Sequence, residues 1–119
     1  MVELKRGDII IVNFDPVVGH EQGKIRPAVV IQNDMGNKYS KLTIVAPMTS
    51  KNFEKEFPTN VFISKNDSKL DRDSTILLNQ IKTIDKSRII KKISQLDIYM
   101  MEKVNMALKI SLGLEEYYV

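Results

Sequence analysis

The sequence predicts a small, mainly β (α+β) domain with a single helix at its C-terminal end, and three observations carry that reading. Up to about residue 93 the apolar residues fall in short runs rich in Val, Ile and Phe, separated by Gly, Pro, Asn and Asp, which is the pattern of strands and turns. Beyond Asp97 the spacing changes to helical steps, with Ile98, Met101, Val104 (or Asn105), Leu108 and Leu112 on one face. The length, 119 residues, is that of one domain spanning 1–119, which on folding removes roughly two thirds of its surface from water. Strands first and one helix last argue a small β barrel or an α+β fold.

Gly7-Asp8 opens the first strand, Ile9 to Phe14, and Asp15-Pro16 stops it. A long loop runs from about Asp15 to Arg26, marked by Gly19 and Gly23. Pro27 can begin the next strand because a first strand residue need not donate. Ala28-Val29-Val30-Ile31 follows as a continuous apolar run, the signature of a strand buried on both faces. Asn33 to Ser40 reads as a turn and Leu42 to Thr49 as a third strand, in which Pro47 suggests an edge or a bulge. Ser50 to Pro58 reads as a loop, Asn60 to Ile63 as a short strand and Ser64 to Asp73 as a polar connection. Ser74 to Ile81 and Ser87 to Ile93 read as the last strands. Asp97 suits the helix N-cap and Gly113 its C-terminal stop.

Composition excludes several classes of function. There is no cysteine, hence no disulfide scaffold, zinc finger or thiol nucleophile. The one histidine, His20, rules out a multi-histidine metal site within the chain, and the expected chemistry uses carboxylates, hydroxyls, lysine or arginine without a metal or cofactor. No apolar run approaches the roughly 20 residues of a spanning helix, and the N-terminus lacks the apolar core of a secretory signal. A cytoplasmic protein is expected. The net charge is +3, but residues 1–93 hold sixteen Lys/Arg against eleven Asp/Glu. The densest basic stretch is Lys82, Lys86, Arg88, Lys91 and Lys92, against Asp85 alone. A basic body suits a polyanion, although a charge run is more often a solvated face.

Long loops are where compact domains carry function. The loop from Asp15 to Pro27 concentrates carboxylates, an amide, His20 and two cations, and a second begins where Pro47-Met48-Thr49-Ser50 leaves its strand. With these residues in view the chain resembles the MazF/PemK family of toxin endoribonucleases, most closely those of Gram-positive bacteria. The resemblance is carried by Gly7-Asp8-Ile9, by Pro16-Val17-Val18-Gly19-x-Glu21-Gln22-Gly23-x-x-Arg26-Pro27, and by Val29-Val30-Ile31-Gln32-Asn33-Asp34 with Gly36-Asn37. It continues through the strand ending in Thr49, Lys69-Leu70-Asp71-x-Asp73-Ser74, Leu78-x-Gln80-Ile81 and Ala107-Leu108-x-x-Ser111-Leu112-Gly113-Leu114.

That resemblance implies an SH3-like β-barrel with a C-terminal helix, of the MazF/CcdB-like kind, acting as a homodimer. It implies sequence-specific, metal-independent cleavage of single-stranded RNA (mRNA) that leaves a 2′,3′-cyclic phosphate and a 5′-hydroxyl. Arg26 and Thr49 are implied as catalytic, Gln22, Gly23, Lys24, Ser50 and Gln80 as RNA-binding, and a MazE-type antitoxin as the inhibitor. No membrane partner is implied.

The residues read by themselves agree, with some readings left open. Arg26 can give two parallel N–H bonds to phosphate oxygens, or pair with Glu21 or Asp15. Thr49 can donate to the substrate, or serve its own turn. Glu21 is the nearest carboxylate to take a proton, or an arginine partner; water or a substrate phosphate oxygen could take that proton instead. Gln80 lines the groove or satisfies backbone. Phe53 and Phe57 stack bases or pack. His20 departs from the small hydroxyl residue usual in the family before Glu21-Gln22; it either adds a titratable group near the phosphate or sits exposed with no role, and the second reading is favoured. The alternative function is a non-catalytic toxin or RNA-binding module of the same barrel, as in the gyrase inhibitors that share the fold.

Overall fold

In a computed structural model, which describes residues 3–16, 18–20, 24–51 and 57–116, the chain runs through seven strands and three α-helices. These are β1 (Asp8–Asn13), β2 (Ile25–Val30), α1 (Asp34–Tyr39), β3 (Leu42–Thr49), β4 (Asn60–Ile63), α2 (Lys65–Ser68), β5 (Ser74–Leu77), β6 (Lys82–Asp85), β7 (Ile89–Gln95) and α3 (Ile98–Ser111). A single 3-10 turn, Lys86–Arg88, precedes β7. The strands form an antiparallel sheet in the order β4-β5-β3-β2-β1-β7, with β6 added alongside β3. This is the mainly β architecture with a C-terminal helix that the sequence predicts.

The centre is β1, β2 and β3, and it is apolar on both faces. Ile9 faces Val29 and Val29 faces Ala46; with Met48, Ile63, Ile76, Val104 and Ala107 they form the core layer beneath α3. Ile10 faces Ala28 and Val30 faces Val45; with Leu4, Val12, Phe14 and Ile84 they form the second layer. The expected two-sided burial of Ala28 to Ile31 is found, each being buried.

Pro47 is not on an edge or at a bulge. β3 lies inside the sheet, paired with β2 on one side and with β6 then β5 on the other. On that second side β6 reaches only to Val45 and β5 begins at Met48. Pro47 therefore occupies the step where β3 changes partner, the place at which a missing N–H disturbs the ladder least.

Other boundaries differ from expectation for local reasons. The segment from Asn33 to Ser40, expected as a turn, winds into α1: the Asn33 side chain accepts from the Gly36 amide at 2.8 Å as an N-cap. The strand expected over Ser74 to Ile81 ends at Leu77, where the Gln80 amide turns back to the Leu77 carbonyl. β6 has only Ile84 as a buried apolar residue, too little alternation to read as a strand. Between β6 and β7, Asp85 caps the 3-10 turn by accepting from the Ser87 amide at 2.8 Å, which holds its carboxyl below the usual carboxylate range.

Asp97 caps α3, accepting from Met100 N at 2.8 Å, and Gly113 takes the left-handed conformation that ends it, φ 74°. The helix buries Val104 and Ala107 and half-buries Met100, Met101 and Leu108, whereas Ile98 and Leu112 from the expected stripe are exposed. They stand on its first turn and just past its last residue. Arg6 ties the helix to the sheet: its Nε donates to Ile31 O at 2.8 Å and its Nη2 to Asn105 Oδ1 at 2.8 Å.

Asp8 is a fully buried carboxylate. Its Oδ2 accepts from the Lys5 amide at 2.8 Å and its Oδ1 stands 3.2 Å from Lys92 Nζ. Replacing Asp8 with alanine leaves the Lys5 amide without its acceptor and the half-shielded Lys92 ammonium without its counter-ion. Urea unfolding of Asp8→Ala is expected to show a loss of about 1–3 kcal/mol with an unchanged m-value.

Candidate active site

The ends of β2 and β3 meet where the core stops. Their register pairs Ala28 with Pro47, Val29 with Ala46 and Val30 with Val45; continued two residues toward the open end, it sets Arg26 opposite Thr49. Arg26 is also held by its pairing with Val12 of β1, and Thr49 by its pairing with Thr75 of β5. Both positions are thus fixed by sheet, not by loop. Arg26 and Thr49, distant in sequence, line a single open groove of about 390 Å³ together with Ser50.

Thr49 is buried, 2% exposed, and its hydroxyl oxygen accepts from the Lys51 amide at 3.2 Å. This is the turn-forming role that a strand-end threonine commonly has. It is compatible with the chemical one, because the contact uses an acceptor position of the hydroxyl and leaves its proton as a donor.

The groove's opposite wall comes from the segment after α2, which the sequence reads only as a connection. Lys69 ends α2 in the left-handed conformation, φ 67°, and the Leu70 amide then donates to Ser68 Oγ at 3.1 Å. Asp73 Oδ1 accepts from the Lys65 amide at 2.9 Å, and Ser74 Oγ donates to the Arg72 carbonyl at 3.2 Å. These bonds set Asp71, Arg72 and Ser74 into the groove with Leu70. The available signal was a basic residue between two aspartates in a segment that also matched the family.

His20 and Gln80 come together elsewhere. With Phe14, Asn79 and Lys82 they line a second cavity of about 410 Å³, whose wall includes Pro47, two residues before Thr49 on β3. Lys24 is exposed and left-handed, φ 64°; its amide donates to Asp15 Oδ1 at 2.7 Å and its carbonyl accepts from Phe14 N at 2.8 Å. Lys24 lines neither cavity. Glu21, Gln22, Gly23 and Phe53 lie outside the described residues; Phe57 is exposed.

Three of the five cations in the Lys82–Lys92 stretch hold the fold. Lys92 pairs with Asp8, Lys86 Nζ donates to the Asn37 carbonyl, and Arg88 Nη1 donates to the carbonyls of Asn13, at 3.1 Å, and Asp15. Arg88 thereby anchors the start of the loop that carries His20. Among the described residues no cluster of three His, Asp or Glu side chains could hold a metal ion, and no helix is long and apolar enough to cross a membrane.

Comparison with known proteins places these features in a family. Residues 5–112 match the family described as PemK-like, MazF-like toxin of type II toxin-antitoxin system. The chain is 50% identical over 111 residues to the endoribonuclease MazF of Staphylococcus saprophyticus, covering 93% of this chain and 92% of that one. It is 49% identical over 114 residues to the endoribonuclease EndoA of Bacillus subtilis, covering 96% and 98%. Among solved structures, a chain of a MazE-MazF crystal structure from Deinococcus radiodurans is 25% identical and superposes with a TM-score of 0.75, covering 97% of this chain and 100% of that one.

The anchoring role of Arg88 has a direct consequence. In Arg88→Ala, hydrogen exchange at the amides of Phe14, Asp15 and Lys24 should accelerate by about tenfold, while the strand amides of β2 and β3 keep their protection. Uniform acceleration across the sheet would instead mean that Arg88 supports global stability.

Proposed function

This chain belongs to the PemK-like, MazF-like family of toxins of type II toxin–antitoxin systems and is an endoribonuclease; from that premise we propose that the Arg26–Thr49 groove cuts single-stranded RNA by attack of a 2′-hydroxyl on the adjacent phosphorus. The observation that carries this reading is the convergence of Arg26 and Thr49 on one groove at the end of two paired strands.

In the proposed step the 2′-oxygen–phosphorus bond forms as the phosphorus–5′-oxygen bond breaks. The departing 5′-oxygen takes up a proton from water, so the products are a 2′,3′-cyclic phosphate and a 5′-hydroxyl. Arg26 directs N–H groups at the non-bridging oxygens, where negative charge grows in the transition state. Thr49 donates a further hydrogen bond to the reacting phosphate. Arg26 is not assigned the proton transfer, because a guanidinium with a pKa above about 12 holds its protons. The 2′-hydroxyl proton passes to Glu21, to water or to a substrate phosphate oxygen; the pH profile of Glu21→Gln tests the first against the other two, since only loss of a carboxylate base removes the acidic limb. Gln22, Gly23, Lys24, Ser50 and Gln80 are proposed to bind the flanking RNA, and His20 only frames the cavity it shares with Gln80. The step calls for no metal or cofactor.

The MazE–MazF structure that the chain resembles supports a MazE-type antitoxin as inhibitor. A basic groove also favours an acidic, partly disordered peptide as competitor. We place the active species as a homodimer in the cytoplasm, where its RNA substrate is.

Arg26→Ala should lower single-turnover cleavage by about 10²–10³-fold with its fold intact, and Thr49→Ala by a smaller factor. An RNA with deoxyribose only at the nucleotide before the cut should bind and stay whole, in EDTA as in its absence. Cutting of that RNA would mean that water attacks instead, and a folded chain that leaves a long RNA untouched would point to the non-catalytic alternative.

A further inference from the structure

We infer that Arg72 binds the RNA phosphate next to the one that is cleaved, which makes the groove a two-phosphate site; this rests on reading the groove as the RNA-cleaving site. Arg72 lines the same groove as Arg26 and Thr49 but is delivered by a separate element, the segment between α2 and β5. Its position is set by the Ser74 hydroxyl on its carbonyl and by Asp73 on the Lys65 amide. Arg6, Lys86, Arg88 and Lys92 each satisfy a carbonyl, an amide oxygen or a carboxylate of the fold. The ion pairs within the described residues are Lys5 with Glu3 and Lys92 with Asp8, so no described carboxylate pairs with Arg72.

A phosphodiester chain carries one negative charge per nucleotide, so the phosphate beside the one at Arg26 falls within the same groove as Arg72. A single phosphodiester engages one of the two guanidinium groups. A chain with a phosphate at every nucleotide engages both, and the apolar Leu70 and Ile25 beside Arg72 suit the base or ribose that must lie between two phosphates. Asp71, on the same wall, sets a limit on this subsite: its carboxylate disfavours a third phosphate there.

The test uses labelled RNA carrying the single deoxyribose that blocks cleavage. Arg72→Ala should weaken its binding by about tenfold and reduce the slope of log K against log salt by about 0.7. On cleavable RNA the defect should appear chiefly as a rise in the RNA concentration that gives the half-maximal single-turnover rate, and to a smaller extent in the saturated rate. Arg72→Lys should keep the salt slope and recover part of the affinity, since it retains the charge without the fork. Four results would overturn the inference. They are unchanged binding and slope, a lost saturated rate with unchanged binding, equal defects in the alanine and lysine variants, or weakened antitoxin binding with RNA binding intact. If the wild-type chain binds RNA without cutting it, the cleavage mechanism fails while the binding measurement still judges Arg72. If wild type cuts and Arg72→Ala behaves as wild type throughout, this inference alone fails.

Discussion

Val29 opposite Ala46, between Ala28 opposite Pro47 and Val30 opposite Val45, is the register from which both the core and the groove follow. In most half-buried sheets a slip of one residue is forbidden because it exposes the apolar face. Here that safeguard is weak, since β1, β2 and β3 are apolar on both faces. The register is held instead by polar bonds around α1. The amides of Ile31 and Gln32 both donate to the Ile44 carbonyl, Gln32 Nε2 donates to the Leu42 carbonyl at 3.0 Å, and the buried Thr43 hydroxyl donates to Asn37 Oδ1 at 2.7 Å. Buried polar groups of this kind tolerate no alternative pairing without losing partners. A slip would separate Asn37 from Thr43 at one end of the strands and Arg26 from Thr49 at the other.

The same division of labour governs charge. The body of the chain is basic, yet its densest run, Lys82 to Lys92, is largely consumed by the fold. Lys86 and Arg88 bond backbone carbonyls, and Lys92 neutralises Asp8 inside the barrel-like sheet. Among the described residues, the cations that line the groove are two arginines from different elements, one on a strand and one on a short, well-anchored loop. Arginine suits that place better than lysine, because a planar fork loses less freedom per bond when it meets a phosphate. Charge density along the sequence is therefore a poor guide to which cations line the groove.

The sequence made the architecture legible where apolar periodicity is strong: β1, β2, β3 and the capped α3. It failed where a segment is held by neighbours and not by its own pattern. β6 carries one buried apolar residue and exists because β3 offers it an edge; α1 is polar and short, and forms because Asn33 caps it and Asn37 is buried against Gln32 and Thr43. The groove was legible in part. Arg26 and Thr49 stand in family motifs, and the register explains why residues so far apart in sequence belong together. Arg72 was not legible as a groove residue, because its placement depends on the left-handed turn at Lys69 and the side-chain bonds of Asp73 and Ser74. His20 and Gln80 were read separately, and only the approach of the loop after β1 to the β5–β6 turn makes them neighbours.

Thr49 shows why a structural reading and a chemical reading need not compete. A hydroxyl free to rotate would offer its proton in several directions, and each would cost orientation at the moment of reaction. The Lys51 amide fixes one acceptor position of that hydroxyl, the ladder to β5 fixes its backbone, and burial limits its access to water. Arg26 has the same support from β1, through Val12. Groups preorganised on paired strands meet developing charge without reorganising. In the proposed reaction that rigidity belongs to two sheet positions, Arg26 and Thr49, whose backbones the ladders to β1 and β5 hold.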